Sequence, residues 1–357
     1  MRLIKRLAPI LLLIIAILIA ICNFGVENSL LNTIYIAYKF LFTVFMTLIV
    51  QKLISELSRV ACGVFNNYSF IGFQILGITI FREGENFKLR LDGFNNDFCL
   101  AVMAPNNEVT DNNHINYYRS GYLANILTLI PISMAFYFGR KNYVILIIAV
   151  TVIMIISRMI PREAGGNFND GYLVRLFKNK KREDHELAGI YQKLQTELII
   201  GTRPKDLPLI KIRKEENVFA VFINLYIYYK GIDIKDEAII QTRIRQIEER
   251  YEILNSRQRQ SIIYEFIYYY SFIARDNFTA SKFYAEIEDK IEVDHDINAR
   301  RVLAYYNYYS LLDPEKAADY AQAGLAVADD YPISGIAKME IEALNNLLEK
   351  IEGENNV

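Results

Sequence analysis

The stretch KLISELSRVACGVF, Lys52 to Phe65, decides how this chain is read. It takes over from an apolar run, Leu31 to Ile54, that is long enough to cross a bilayer, because about 20 helical residues span the hydrocarbon core. Yet it carries Glu56 and Arg59 three residues apart, on one side of a helix. A carboxylate and a guanidinium at the end of a membrane helix are costly unless something there pairs or uses them.

Outward from this stretch, the composition separates two regions. Of 357 residues, 52% are hydrophobic and the formal net charge is -1, which argues against a broad nucleic-acid footprint and a nucleic-acid partner. Apolar residues concentrate before Pro161 and charges after it. That asymmetry predicts a membrane-embedded domain over residues 1–182 and a soluble one over 183–357. Cys22, Cys62 and Cys99 form no C-x-x-C pair, so neither a disulfide framework nor a zinc finger is implied. The histidines are three: His114, His185 and His295.

Four apolar spans are expected. Arg2, Lys5 and Arg6 precede Leu7 to Cys22, which reads as an uncleaved first helix rather than a signal peptide. Ile21 is too bulky for the lipoprotein cleavage site that Ile19 to Cys22 suggests. The others are Leu31 to Ile54, Tyr117 to Phe138 with Pro131 inside it, and Tyr143 to Ile160. Basic residues at the start, and Arg158, Arg162, Arg175, Lys178, Lys180, Lys181 and Arg182 after the last span, place both termini in the cytoplasm. Arg140 and Lys141 run against that bias. Between the second and third spans, Phe70 to Phe81 and the alternating Phe87-Lys88-Leu89-Arg90-Leu91, joined by a Glu83-Gly84-Glu85-Asn86 turn, predict a β-hairpin beside the membrane.

The remainder is helical. Asp236 to Leu254, Arg257 to Arg275, Thr279 to Ile291, Asn298 to Leu312, Pro314 to Asp329 and Ile333 to Ile351 alternate with short polar turns. Asp313-Pro314-Glu315 is a helix start. Tyr264, Tyr268, Ala280 and Tyr284 recur loosely as Tyr305, Tyr309, Ala321 and Leu325, which fits tandem helical hairpins of tetratricopeptide type. The tyrosine runs Tyr268 to Tyr270 and Tyr305-Tyr306 read as packing between helices.

The order of these parts resembles the site-2 protease-like intramembrane zinc metalloproteases, in a bacterial branch with a tetratricopeptide-like cytoplasmic tail. Ser55-Glu56-Leu57-Ser58-Arg59 stands where that family has H-E-x-x-H. Tyr68 to Phe73, Phe98 to Pro105, Tyr118 to Asn125 and Asn169-Asp170-Gly171 follow in the family's order, with Leu312 to Ala317 and Tyr331 to Gly335 near the end. The resemblance implies an α-helical polytopic membrane domain of about four transmembrane helices with a membrane-associated β-hairpin insertion. An all-α helical-repeat soluble domain follows it. It further implies two histidine ligands four residues apart, a glutamate that activates zinc-bound water, and an aspartate as third ligand.

Here both histidine positions are changed, to Ser55 and Arg59. Serine is a poor zinc ligand, and arginine stays protonated at any useful pH. Glu56, a vestigial catalytic residue, and Asp170 remain. The expectation is a lost metal site with no cofactor, in which Arg59 forms an ion-pair cluster with Glu56 and Asp170; simple drift is the plainer explanation. His114, assigned to a loop, offers no replacement ligand, and Cys62 reads as a small buried apolar residue. The reading is therefore a pseudoprotease in the bacterial cytoplasmic membrane, in contact with the bilayer and binding a membrane protein or peptide partner, its tail available to a protein partner. The alternatives are an active metalloprotease with an altered zinc ligand set and a membrane-anchored helical-repeat scaffold.

Overall fold

A computed structural model describes residues 30–76, 78–83, 86–91, 99–106, 108–139, 142–164, 166–179, 183–211, 217–331 and 333–355. The expected first span, Leu7 to Cys22, lies outside the described residues. The chain is mostly helical and divides into two compact units, one of residues 1–163 with 168–181, the other of 164–167 with 182–357.

The first unit contains helices α1 (Leu30–Phe65), α2 (Asp111–Gly139), α3 (Asn142–Met159) and α4 (Asp170–Lys178). Among the described residues, α1 and α2 are long and apolar enough to cross a membrane, and α3 is apolar but shorter. The helix does not stop where the apolar run does, at Ile54. No proline interrupts Ile54 to Phe65 and Gly63 is the weakest helix former there, so α1 continues for 36 residues, about 54 Å. α2 starts six residues before the expected span and runs through Pro131 without a break.

Side chains in these helices are distributed inside out relative to a water-soluble bundle. Leu41, Phe42 and Phe45 on α1, and Leu127, Ile130 and Met134 on α2, face outward. Thr47, Gln51, Ser55 and Glu56 on α1, Asn125 on α2 and Thr151 on α3 are buried. In water this arrangement wastes the hydrophobic effect; against hydrocarbon it hides the groups that cost most.

In place of the simple hairpin expected, the segment after α1 forms a four-stranded antiparallel sheet in the order β3-β2-β1-β4. Its strands are β1 (Tyr68–Ile75), β2 (Ile78–Glu83), β3 (Asn86–Leu91) and β4 (Cys99–Pro105). β1 pairs with β2 through Phe73↔Ile80 and Ile75↔Ile78, and β2 pairs with β3 through Ile80↔Leu89. β4 has no polar-apolar alternation to mark it; it joins the far edge of β1, with a register shift between Phe70 and Gly72. As an edge strand, β4 keeps one row of backbone groups free of the sheet, and this row matters for the site.

The second unit is helical and repeat-like. Its helices are α5 (Glu183–Ile199), α6 (Val218–Ile234), α7 (Glu237–Glu248), α8 (Ser256–Tyr268), α9 (Asn277–Ile291), α10 (Ile297–Tyr306), α11 (Pro314–Ala326) and α12 (Ser334–Asn355). Asp236, Asn255, Asp276 and Asp313 each cap the helix that follows by accepting a backbone N–H, which satisfies donors that helix starts leave unpaired. α8 and α10 end alike, in π turns at Tyr269–Ile273 and Asn307–Leu311. The tyrosine runs fall at these endings and pack ring against ring, Tyr268 on Tyr305 at 4.9 Å and Tyr284 on Tyr306 at 4.6 Å.

A fully buried polar cluster ties the helices that open successive hairpins. Arg301 on α10 donates from Nη2 to both oxygens of Glu265 on α8, at 2.8 and 2.9 Å, and its Nε pairs with Glu340 on α12. Asn298 Nδ2 donates to Glu265 at 2.8 Å and to Glu340 at 3.3 Å, and Tyr229 on α6 donates its hydroxyl to Glu265 at 3.1 Å. Tyr229, Glu265 and Arg301 follow one another at 36-residue intervals, so one position of the repeat supplies three of the cluster's five residues.

Candidate functional site

The site is built on four residues of α1 that share one face, Lys52, Ser55, Glu56 and Arg59. Ser55 and Glu56 are fully buried. Glu56 holds the centre. Lys52 Nζ lies 3.0 Å from its Oε1, and Arg59 Nη1 donates to both carboxylate oxygens at 3.2 Å. From the sheet, the free edge of β4 supplies the Ala101 N–H, which donates to Glu56 Oε2 at 3.3 Å.

Asp170 reaches the same place from the start of α4, and each residue of Asn169-Asp170-Gly171 has a part in getting it there. Asn169 caps α4 by accepting the Tyr172 N–H, and its Nδ2 donates to the carbonyls of Ser157 and Ile160 at 2.8 and 2.7 Å. The cap thus clamps α4 to the end of α3. Gly171 lies against the Met159 carbonyl so closely that any Cβ would overlap it. Between them, the Asp170 carboxylate accepts from Arg59 Nη2.

The structure brings Ser55, Glu56, Arg59 and Asp170 together, and it adds a residue that the sequence reading assigned only to the basic flank. Arg158, in the last turn of α3, donates to the Ser55 hydroxyl oxygen, reaches Glu56 Oε1 at 3.2 Å, and sets its Nε 2.9 Å from Asp170 Oδ2. Two guanidiniums therefore bracket two carboxylates. α2 can approach this cluster because position 121 is glycine, where a Cβ would sit 2.6 Å from Ser55 Oγ and 3.3 Å from Arg59 Nε. Three cations, Lys52, Arg59 and Arg158, face two carboxylates, and Lys52 is the most exposed at 28%.

Two expectations about nearby residues change. His114 is not in a loop but buried in the first turn of α2, its Nδ1 2.6 Å from the Tyr68 hydroxyl and its ring stacked on Phe177 at 4.2 Å. Cys62 is not a buried apolar contact. It is half-buried, with Sγ 3.5 Å from the Asn116 carbonyl and accepting from Asn66 at 3.2 Å.

These residues do not fit a zinc ion. Catalytic zinc takes three N, O or S ligands and an open position, whereas Ser55, Glu56 and Asp170 each already accept from a guanidinium that cannot become a ligand. Among the described residues, no group of three His, Cys, Asp or Glu side chains is placed to hold a metal. What the arrangement can do is structural. It cross-links α1, α3, α4 and the sheet edge through charge-assisted hydrogen bonds, which are stronger and more directional than neutral ones.

Comparison with family models, with curated proteins and with solved structures found no match to this chain.

Proposed function

We propose that this chain is a catalytically inactive relative of the site-2 protease-like intramembrane metalloproteases, a pseudoprotease that binds a membrane protein or peptide partner. One observation carries the reading: Arg59 and Arg158 make contact with both carboxylates, Glu56 and Asp170, that the family resemblance assigns to the metal centre. A hydrolytic zinc centre must leave a position open for water. Here the same space is filled by two permanent cations, which supply charge but no exchangeable site.

The reading extends to topology. Four membrane spans with both termini cytoplasmic follow from the apolar runs and their basic flanks. The sheet lies against the membrane surface, for which its outward apolar side chains Ile78, Ile80, Phe87 and Leu89 speak. The tail is tetratricopeptide-like, as the 36-residue recurrence of its buried polar position supports.

Metal analysis of the purified full-length chain tests the proposal. The expected result is no zinc retained after dialysis. Stoichiometric zinc that Asp170→Ala removes would restore the active-protease reading. The scaffold reading takes over if removing residues 183–357 abolishes partner capture while the membrane unit stays folded.

A further inference from the structure

The turn before α10, α10 itself and α11 form a cavity of about 480 Å³, within the roughly 300–1,000 Å³ typical of small-molecule sites. Two charged side chains line it, Arg300 and Asp319, together with a wall of Ala323, Ala326 and Val327, and with His295 beside Arg300. We propose that this cavity binds a free α-amino acid with an apolar side chain. Its carboxylate meets Arg300, its ammonium meets Asp319, and its side chain lies along the wall.

Arg300 is buried and held in place, yet its charge is unpaired. Its Nη2 donates to His295 Nδ1 at 2.7 Å and to the Glu292 carbonyl at 3.3 Å, both neutral acceptors. Gly324 brings α11 against its stem, since a Cβ there would sit 3.0 Å from Arg300 Cβ. Among the described residues Arg300 forms no ion pair, and a guanidinium cannot shed its proton to escape the cost. Nε and Nη1 are left as donors for a ligand carboxylate. Because arginine can only donate, His295 Nδ1 must accept, which puts the proton of the neutral ring on Nε2. That is a further donor on a lining side chain.

Asp319 supplies the opposite charge on the same lining. Its side chain is exposed and, among the described residues, makes no ion pair, although Arg300 lines the same cavity. Two opposite charges that share a cavity without neutralising each other suit a ligand that carries both. A simple anion would meet Asp319 and a simple cation would meet Arg300; a zwitterion satisfies the two. Glu292 and Lys316 leave this balance unchanged. They are one charge of each sign, neither lines the cavity, and Glu292 already accepts from the hydroxyls of Tyr284 and Tyr320 at 2.7 and 2.6 Å. The short side chains of Ala323 and Ala326 leave room beside the charges for an aliphatic group, whose burial adds affinity. The inference is independent of whether the membrane unit has lost its metal.

Calorimetric titration of the detergent-solubilised full chain tests it. The probes are L-leucine, L-leucinamide, which lacks the carboxylate, and N-acetyl-L-leucine, which lacks the ammonium. L-leucine should bind about tenfold more tightly than either analogue, the loss expected for one hydrogen bond to a charged group. Asp319→Asn, at an exposed position, should weaken L-leucine to the level of N-acetyl-L-leucine without weakening the latter. Arg300→Gln should likewise bring L-leucine down to the level of L-leucinamide. If that buried change prevents folding, Ala323→Leu, which fills the wall from an exposed position, should abolish binding of all three. Equal binding of L-leucine and either analogue, L-leucine binding untouched by Asp319→Asn, or absence of heat from L-leucine overturns the proposal.

Discussion

Arg158 Nε lies 2.9 Å from Asp170 Oδ2, so the last turn of α3 is locked to the first residue of α4 by a charge pair. The same guanidinium holds Ser55 and Glu56 on α1. Arg158 thus ties three helices at once.

Removing that tie should be expensive. Arg158→Ala leaves Glu56 and Asp170 with one guanidinium in place of two, and breaking a buried pair costs roughly 3–5 kcal/mol. Arg158→Lys keeps the charge but loses the two-pronged reach, and should fall between wild type and alanine. Thermal unfolding in detergent should rank the three in that order, and Asp170→Asn should recover part of the Arg158→Ala loss. A loss unchanged by Asp170→Asn would mean that the two residues are not energetically coupled.

Restoring the histidines alone should not restore the metal. In the chain carrying Ser55→His and Arg59→His, Arg158 still faces Glu56 and Asp170, and its charge repels a divalent ion. Adding Arg158→Ala to those two changes should give measurable zinc by elemental analysis where the two changes alone give far less. Equal zinc content in the two variants would show that Arg158 does not guard the site.

Close approach at Gly121 leaves no room for a side chain, since a Cβ there would sit 2.6 Å from Ser55 Oγ. Gly121→Ala should cost about 1–3 kcal/mol, the usual range for overpacking. Gly189, whose added Cβ would meet nothing within 4 Å, supplies the control: Gly189→Ala should be neutral or slightly stabilising because alanine favours helix.

The tail should respond to pH through Glu340. Burial, opposed by Arg301 and reinforced by the neighbouring Glu265, raises its carboxyl from an ordinary 4.5 to about 7. The groups facing it are Arg301 and Asn298 on α10 and Glu265 on α8, with Tyr331 beside them. A carboxyl that holds its proton more tightly in the folded chain contributes stability that is whole below about 4.5. That contribution fades as pH climbs to about 7 and changes no further above it. Hydrogen exchange of α8, α10 and α12, corrected for intrinsic rates, should therefore quicken between those values and level off beyond them. Glu340→Gln should flatten the dependence; a dependence that survives the substitution would assign it to another group.

The helices and the core of the site were legible in the sequence to unequal degrees. Glu56 and Arg59 announce themselves because charges in an apolar run demand partners, whereas Asp170 is reached only through the resemblance that Asn169-Asp170-Gly171 carries. Arg158 does not announce itself, because a basic residue closing an apolar helix is also what membrane topology places there, and one residue cannot be assigned to both causes from sequence. α6 escaped because it is apolar nearly all round, with Phe219, Val221, Ile223, Tyr226 and Tyr228 buried, so no 3.6-residue stripe marks it. Glu265 carries a signal in its surroundings: it lies in Ile-Ile-Tyr-Glu-Phe-Ile-Tyr, where a lone acid flanked by apolar residues on both sides points inward. Its partners Arg301 and Glu340 are far along the chain, and no local pattern connects them.

The single hydrogen bond from the Ala101 N–H to Glu56 has a mechanical meaning. It makes the rim of the sheet part of the charged joint that fastens three helices, so a displacement of β4 at Ala101 bears directly on the Glu56 carboxylate.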